Sequence, residues 1–296
     1  MELFKKRETV LQNMTFIGIM AAINCILLYL TSLLPYLLIL LTLILPFVNL
    51  MVCILCKKRF YPLYSIVTIG LCFIVSFNAI SNIIFYIVPA LLSGFIFGVC
   101  IEKEISPAYS ILYSGFTYVI CSYANMLICE FIINQPIQDL YFSIFNLNDF
   151  PFKNYLISLF MFIIGIIQST LSYAFIKNGI KRMGIEEKDL EDGNFVLFTI
   201  IFILLTVITM ILKPDMYLMF IAFTVYCFIY TDFDIFKTNK KVFIVTQLLA
   251  IFAGIFSFAI LYDLLPRELT MSILLIPMFI VVIIALVNNC FVKKRI

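Results

Sequence analysis

Apolar runs of about twenty residues recur along this chain, each closed by a charge cluster, a proline or a short polar turn. That recurrence limits the possible folds more than any other feature. A helix that spans a bilayer needs about 20 mainly apolar residues. Read on that scale, the sequence predicts ten spans, at 14–34, 36–56, 62–80, 82–101, 109–133, 155–176, 195–212, 216–231, 242–262 and 269–290. The expected fold is therefore all-α, a polytopic transmembrane helical bundle of about ten spans. The runs at 62–101 and 195–231 turn so sharply that each also reads as a tight hairpin or a partly re-entrant pair. Composition agrees with a bilayer: 64% of the 296 residues are hydrophobic and 12% charged, where soluble domains carry about one quarter charged residues.

The basic residues give an independent reading, because cytoplasmic loops of membrane proteins collect Lys and Arg. With the N-terminus inside, 17 of the 20 Lys and Arg residues fall on the inner side, in clusters such as Lys5-Lys6-Arg7, Lys57-Lys58-Arg59 and Lys240-Lys241. Only Lys153, Lys213 and Arg267 fall outside. An even number of spans with both termini cytoplasmic follows. The longest inner connection, within 177–194, is the most hydrophilic stretch and reads as a solvated linker. It divides a six-span module, 1–178, from a four-span module, 195–296, with 179–194 between them. The outer loop 134–154 mixes Leu140, Tyr141, Phe142 and Phe145 with Asp139 and Asp149, a composition suited to the outer interface or to capping a cavity.

Several chemistries are excluded at once. The chain has no histidine, so His-ligated zinc, His-ligated haem, Ser-His or Cys-His nucleophile pairs and the HExxH motif are absent. The nine cysteines lie mostly within apolar runs and read as small packing residues, the Cys53/Cys56 CxxC included. No Walker motif or GxGxxG is present, and nothing points to nucleic acid. Asp232-Phe233-Asp234 matches the DxD of sugar-nucleotide enzymes, but on a short cytoplasmic loop without a catalytic domain around it. The first apolar run lacks a small-x-small cleavage site and reads as a retained helix. No cofactor or metal site and no catalytic residue are expected.

What remains as candidate chemistry is polar and sparse. Glu130 is the one charged side chain within a predicted span, near the outer end of the fifth, where an ionisable group marks either a ligand path or a wetted helix end. Tyr118, Ser122, Asn125 and Cys129 share a face of the same helix, and Tyr123 and Glu130 define the adjacent one. Asn78, Ser81, Asn82 and Tyr86 fall at the same outer level, and Gln168 and Ser172 lie mid-span in the sixth run. Such a set suits an uncharged or cationic small molecule, or else interhelical hydrogen bonds. Gly18 with Ala22, and Gly94 with Gly98, give small-xxx-small spacings that allow close helix approach.

The first half carries a resemblance. A basic N-terminus precedes Thr15-Phe16-Ile17-Gly18-Ile19-Met20-Ala21-Ala22, the second run holds Leu45-Pro46 before Lys57-Lys58-Arg59, and the fourth reads Val88-Pro89-Ala90-Leu91-Leu92-Ser93-Gly94-Phe95-Ile96-Phe97-Gly98. Over roughly residues 10–178 this resembles the S components of energy-coupling factor (ECF) transporters, in particular the longer YybS-like bacterial membrane proteins. The resemblance implies a six-helix module that captures a vitamin or metal from outside and rides on a transmembrane T subunit driven by two cytoplasmic ATPases. It also implies that Gly18 and Ala22 form the docking surface, with Gly18 where alanine is usual. The four further spans depart from an ordinary S component. The expected function is solute binding and transport in the bacterial cytoplasmic membrane through Glu130, Asn125, Tyr123, Asn78, Asn82 and Gln168. The alternatives are a membrane scaffold or assembly factor and, behind it, a lipid-linked enzyme or flippase.

Overall fold

The computed structural model describes residues 6–34, 38–75, 83–133, 153–182, 195–238, 240–262 and 264–293. Among the described residues the chain is all-helical and holds ten α-helices: α1 Val10–Leu33, α2 Leu38–Leu55, α3 Tyr61–Val75, α4 Val88–Glu102, α5 Pro107–Ile133, α6 Lys153–Arg182, α7 Val196–Leu212, α8 Tyr217–Thr238, α9 Lys240–Leu261 and α10 Leu275–Lys293. Each follows one apolar run. Seven helical stretches are long and apolar enough to cross a membrane, while α2, α4 and α7 are shorter apolar helices.

Local chemistry explains the ends. Thr9 and Gln12 form a reciprocal capping box that opens α1. Pro107 is the first residue of α5, where a missing N–H costs nothing. A π-helical turn, Ile83–Ile87, leads into α4 just ahead of Pro89. The eighth helix departs from expectation. Thr231, Ile235 and their neighbours continue the apolar spacing, Ile235 is buried, and α8 runs to Thr238. Asp232 therefore lies within a helix, not on a loop, and Glu130 is not the only charged residue in a long apolar helix.

The chain divides into two compact units: Met1–Ile137 with Ile163–Glu191, and Gln138–Phe162 with Asp192–Ile296. The first turns of α6 group with the second unit. There Ser158 donates to the Asp215 carbonyl at 2.7 Å, and Phe162 meets Phe223 edge-on at 4.7 Å.

In the first unit successive helices reverse direction. Gly115 of α5 packs on Gly165 of α6, and Ser169 reaches back to the Ile111 carbonyl. Gly94 and Gly98 of α4 follow α2 in parallel, against Asn49 and then Cys53. A Cβ at Gly94 would come 2.5 Å from Asn49 Cβ and 2.8 Å from the Pro46 carbonyl, so glycine is what lets these backbones approach. The α4 GxxxG is thus an intramolecular seam.

In the second unit α7 and α8 are antiparallel, joined by Lys213 and the turn Pro214–Met216. Buried threonines form two rungs, Thr199 to Thr231 at 3.1 Å and Thr206 to Thr224 at 3.4 Å.

Polarity is inverted relative to a soluble protein. Asn13, Asn24, Asn49, Thr68, Ser93, Ser114, Thr199 and Thr224 are buried, whereas Phe131 (86% exposed), Ile74 (78%), Ile211 and Leu212 point outward. Apolar surface on this scale is suited to lipid and unsuited to water.

Candidate functional site

In the first unit the basic ends of α1, α2 and α4 are tied together. Arg7 N–H donates to the Leu55 carbonyl at 2.8 Å. Fully buried Asn13 donates to the Arg7 and Thr9 carbonyls, at 3.1 and 2.7 Å, and accepts from Lys57 N–H at 2.9 Å. Lys58 Nζ pairs with Glu102 Oε2 at 2.6 Å. These contacts make this end a clasp that holds the three helices together.

Deeper in the bundle α1, α2 and α3 meet at a polar triangle. Asn24 Nδ2 donates to Asn49 Oδ1 at 3.0 Å and to the Tyr64 hydroxyl at 2.5 Å, and that hydroxyl donates to Asn49 Oδ1 at 2.5 Å. All three residues are buried. Cys25 and Cys72 lie alongside, sulfur to sulfur at 3.4 Å. Sequence reasoning missed this triangle, although Asn24 and Asn49 are visible as lone amides in the middle of two apolar runs.

The predicted site residues separate. Asn125 is buried, and its Nδ2 donates to the Ile84 carbonyl at 2.8 Å. Pro89 has no N–H to give a carbonyl five residues earlier in the π-helical turn, so the amide supplies the missing donor. Ser172 plays the same part for α2, donating to the Thr42 carbonyl at 3.2 Å, which Pro46 leaves without its helical donor. Tyr118 shares a hydrogen bond with Ser93 at 3.1 Å, with Gln168 and Ser172 facing the same hydroxyl. Asn125 and Ser172 are therefore committed to mending proline-broken helices, and Tyr118 to joining α4 and α5.

Tyr123 and Glu130 are half-buried on α5, toward the end opposite Pro107. Among the described residues nothing donates to the Glu130 carboxylate. Asn78, Ser81 and Asn82 lie outside the described residues, as does the loop 134–152. Gly18 and Ala22 are exposed, and a Cβ at Gly18 would meet nothing within 4 Å. Beside that face on α1, Ala21, Asn24 and Leu28 are buried. Among the described residues no group of three or more Cys, Asp or Glu side chains is gathered to hold a metal ion.

In the second unit an open cleft of about 390 Å³ lies between the C-terminal part of α8 and the start of α9. Asp232 sits in it, half-buried, its Oδ1 held by Gln247 Nε2 at 2.5 Å. Aromatic rings make up much of the remaining wall. The apolar spacing that continues past Thr231 was the available signal for placing this carboxylate on a helix.

Compared with family models, curated proteins and solved structures, the chain matches none.

Proposed function

We propose that this chain is a multi-pass protein of the bacterial cytoplasmic membrane. In this reading its first unit binds a small solute from the outer side and passes it to a transport machine, in the manner of ECF S components and their YybS-like relatives. The chain crosses ten times, with both termini inside. Alternation of helix direction in the first unit supports that path. So does the gathering of Arg7, Lys57, Lys58 and Glu102 at one end.

The observation that carries solute binding is Glu130. A carboxylate half-buried at the end of a long apolar helix, with no described partner, is costly to keep unless something bonds to it. Tyr123 shares its face, and a carboxylate there suits a cationic or uncharged polar molecule such as a vitamin. The outward face of Gly18 and Ala22 supports a docking role toward a transmembrane T subunit with its ATPases. No step of bond making or breaking is assigned to the chain.

A second reading, a membrane scaffold or assembly factor, is favoured by Asn125 and Ser172, whose polar groups are spent on neighbouring helix backbones. One experiment separates the two. The full chain is purified from its native host in mild detergent, and retained small molecules and proteins are identified by mass spectrometry. Solute binding predicts a retained small molecule that falls by about tenfold in Glu130→Gln, the scale of one charge-assisted hydrogen bond. It also predicts co-purifying ATPases that are lost in Gly18→Leu. Stable partners of another kind, with no solute, would establish the scaffold instead.

A further inference from the structure

We propose that the cleft between α8 and α9 binds the headgroup of an aminophospholipid, a lipid carrying a primary ammonium beside its phosphate. The cleft is lined by Ile229, Tyr230, Asp232, Phe233, Phe236 and Phe243 and encloses about 390 Å³, room for a headgroup and the first carbons of its chains. Asp232 supplies the negative charge. Gln247 fixes Oδ1 at 2.5 Å, which aims the carboxylate and leaves Oδ2 with no described donor. Asp232 forms no ion pair among the described residues.

The positive charges sit on rings that line the cleft. Lys237 Nζ lies 4.7 Å from the Phe233 ring centre, and Lys240 Nζ lies 5.5 Å from that of Phe236. A carboxylate within and ammonium groups at its aromatic walls mirror a ligand with a cation at its tip and an anion one link behind. In the proposed complex the lysines take the phosphate and Asp232 takes the ammonium. Ile229, Phe233 and Ile244 are exposed and apolar, a surface for acyl chains. Two of the rings already carry a lysine ammonium, so an aromatic cage for a quaternary ammonium is partly occupied. A primary ammonium needs an acceptor oxygen, and Oδ2 is one.

The inference rests on the reading of the chain as membrane-spanning, with the α8–α9 turn at a bilayer interface, and is independent of solute capture by the first unit. The test uses the full chain, reconstituted in vesicles of equal parts phosphatidylethanolamine, phosphatidylglycerol and phosphatidylcholine. It is then extracted in mild detergent, and the retained lipid is measured by native mass spectrometry. Phosphatidylethanolamine is expected in excess. Asp232→Asn, which keeps the Gln247 contact possible, should lower that excess about tenfold with an unchanged melting temperature. Lys240→Gln should lower retention of all three lipids together.

If Asp232→Asn does not fold, the wild-type chain decides alone. The preference must be lost when the ethanolamine nitrogen is methylated three times, because the third methyl removes the last N–H that can donate to Oδ2. Excess phosphatidylglycerol would overturn the proposal in favour of a merely basic surface. Equal retention of phosphatidylcholine, an unaltered preference in Asp232→Asn, or no retained lipid would overturn it as well. Glu130→Gln must leave the lipid preference intact. A chain that binds solute without this preference refutes the lipid site alone, and one with the preference but no solute refutes solute capture alone.

Discussion

An amide in the middle of an apolar helix has no water to bond with, so its partners must come from neighbouring helices. Asn24, Asn49 and Tyr64 meet much of this need for one another, with Asn24 Oδ1 left without a donor among the described residues. Asn24→Leu strands Asn49 Oδ1 with one donor fewer and should cost about 1–2 kcal/mol, read as a lower melting temperature in detergent. Replacing Asn24 and Asn49 together should cost less than the sum of the single changes, because the bond the two amides share is then lost once and not counted twice. Additive losses would show that the two amides act separately. The two asparagines were legible as interruptions of apolar runs, but their meeting was not, since periodicity fixes a residue's face and not the helix that face will meet. Glu130 was legible for a different reason: a carboxylate among Met126, Leu127, Ile128 and Phe131 stands out wherever the helix packs. Asp232 was obscured because its flanking charges were read as a loop.

At the scale of elements, proline is the organising residue of the first unit. Pro46 frees the Thr42 carbonyl and Ser172 satisfies it from another helix. Asn125 does the same for Ile84 ahead of Pro89. Ser172→Ala should therefore destabilise the wild-type chain by about 1 kcal/mol and cost much less in a Pro46→Ala background, where an N–H is restored to α2. An equal cost in both backgrounds would break the link between proline and serine. Both prolines and both polar residues are plain in the sequence, and the rule that a mid-helix proline leaves a carbonyl to be claimed predicts some donor. Which donor depends on which helices adjoin.

Glycine separates seam from surface in the same way. Gly94→Leu must push Asn49 and the Pro46 backbone aside and should cost several kcal/mol or prevent folding, on the scale of overpacking in a tight core. Gly18→Leu meets open space and should melt like the wild type. Identical small-xxx-small spacings thus carry different meanings, and only the packing distinguishes them.

At the scale of the whole molecule, apolar runs and basic turns made the all-helical architecture readable, because lipid demands that each segment satisfy its own backbone. Each of the ten expected runs corresponds to a helix, and the chief difference is the extension of α8 to Thr238. The division into units was less readable. It assigns Lys153–Phe162 to the second unit, through contacts such as Phe162 with Phe223 that hydropathy does not encode. The three apolar stretches that fall short of full crossing length, in α2, α4 and α7, are where the ten-span path is most exposed to test.

The decisive measurement is therefore a reporter enzyme that folds only outside the cytoplasmic membrane, fused in turn after Lys58, Lys103, Lys181, Lys213, Lys240 and the C-terminus. The ten-span path predicts activity after Lys213 alone among these positions. Activity after Lys240, or silence after Lys213, would mean that the α7–α8 pair does not cross as a hairpin, and activity at the C-terminus alone would mean that the α9–α10 pair does not. Either result would contradict the ten-span path with both termini inside.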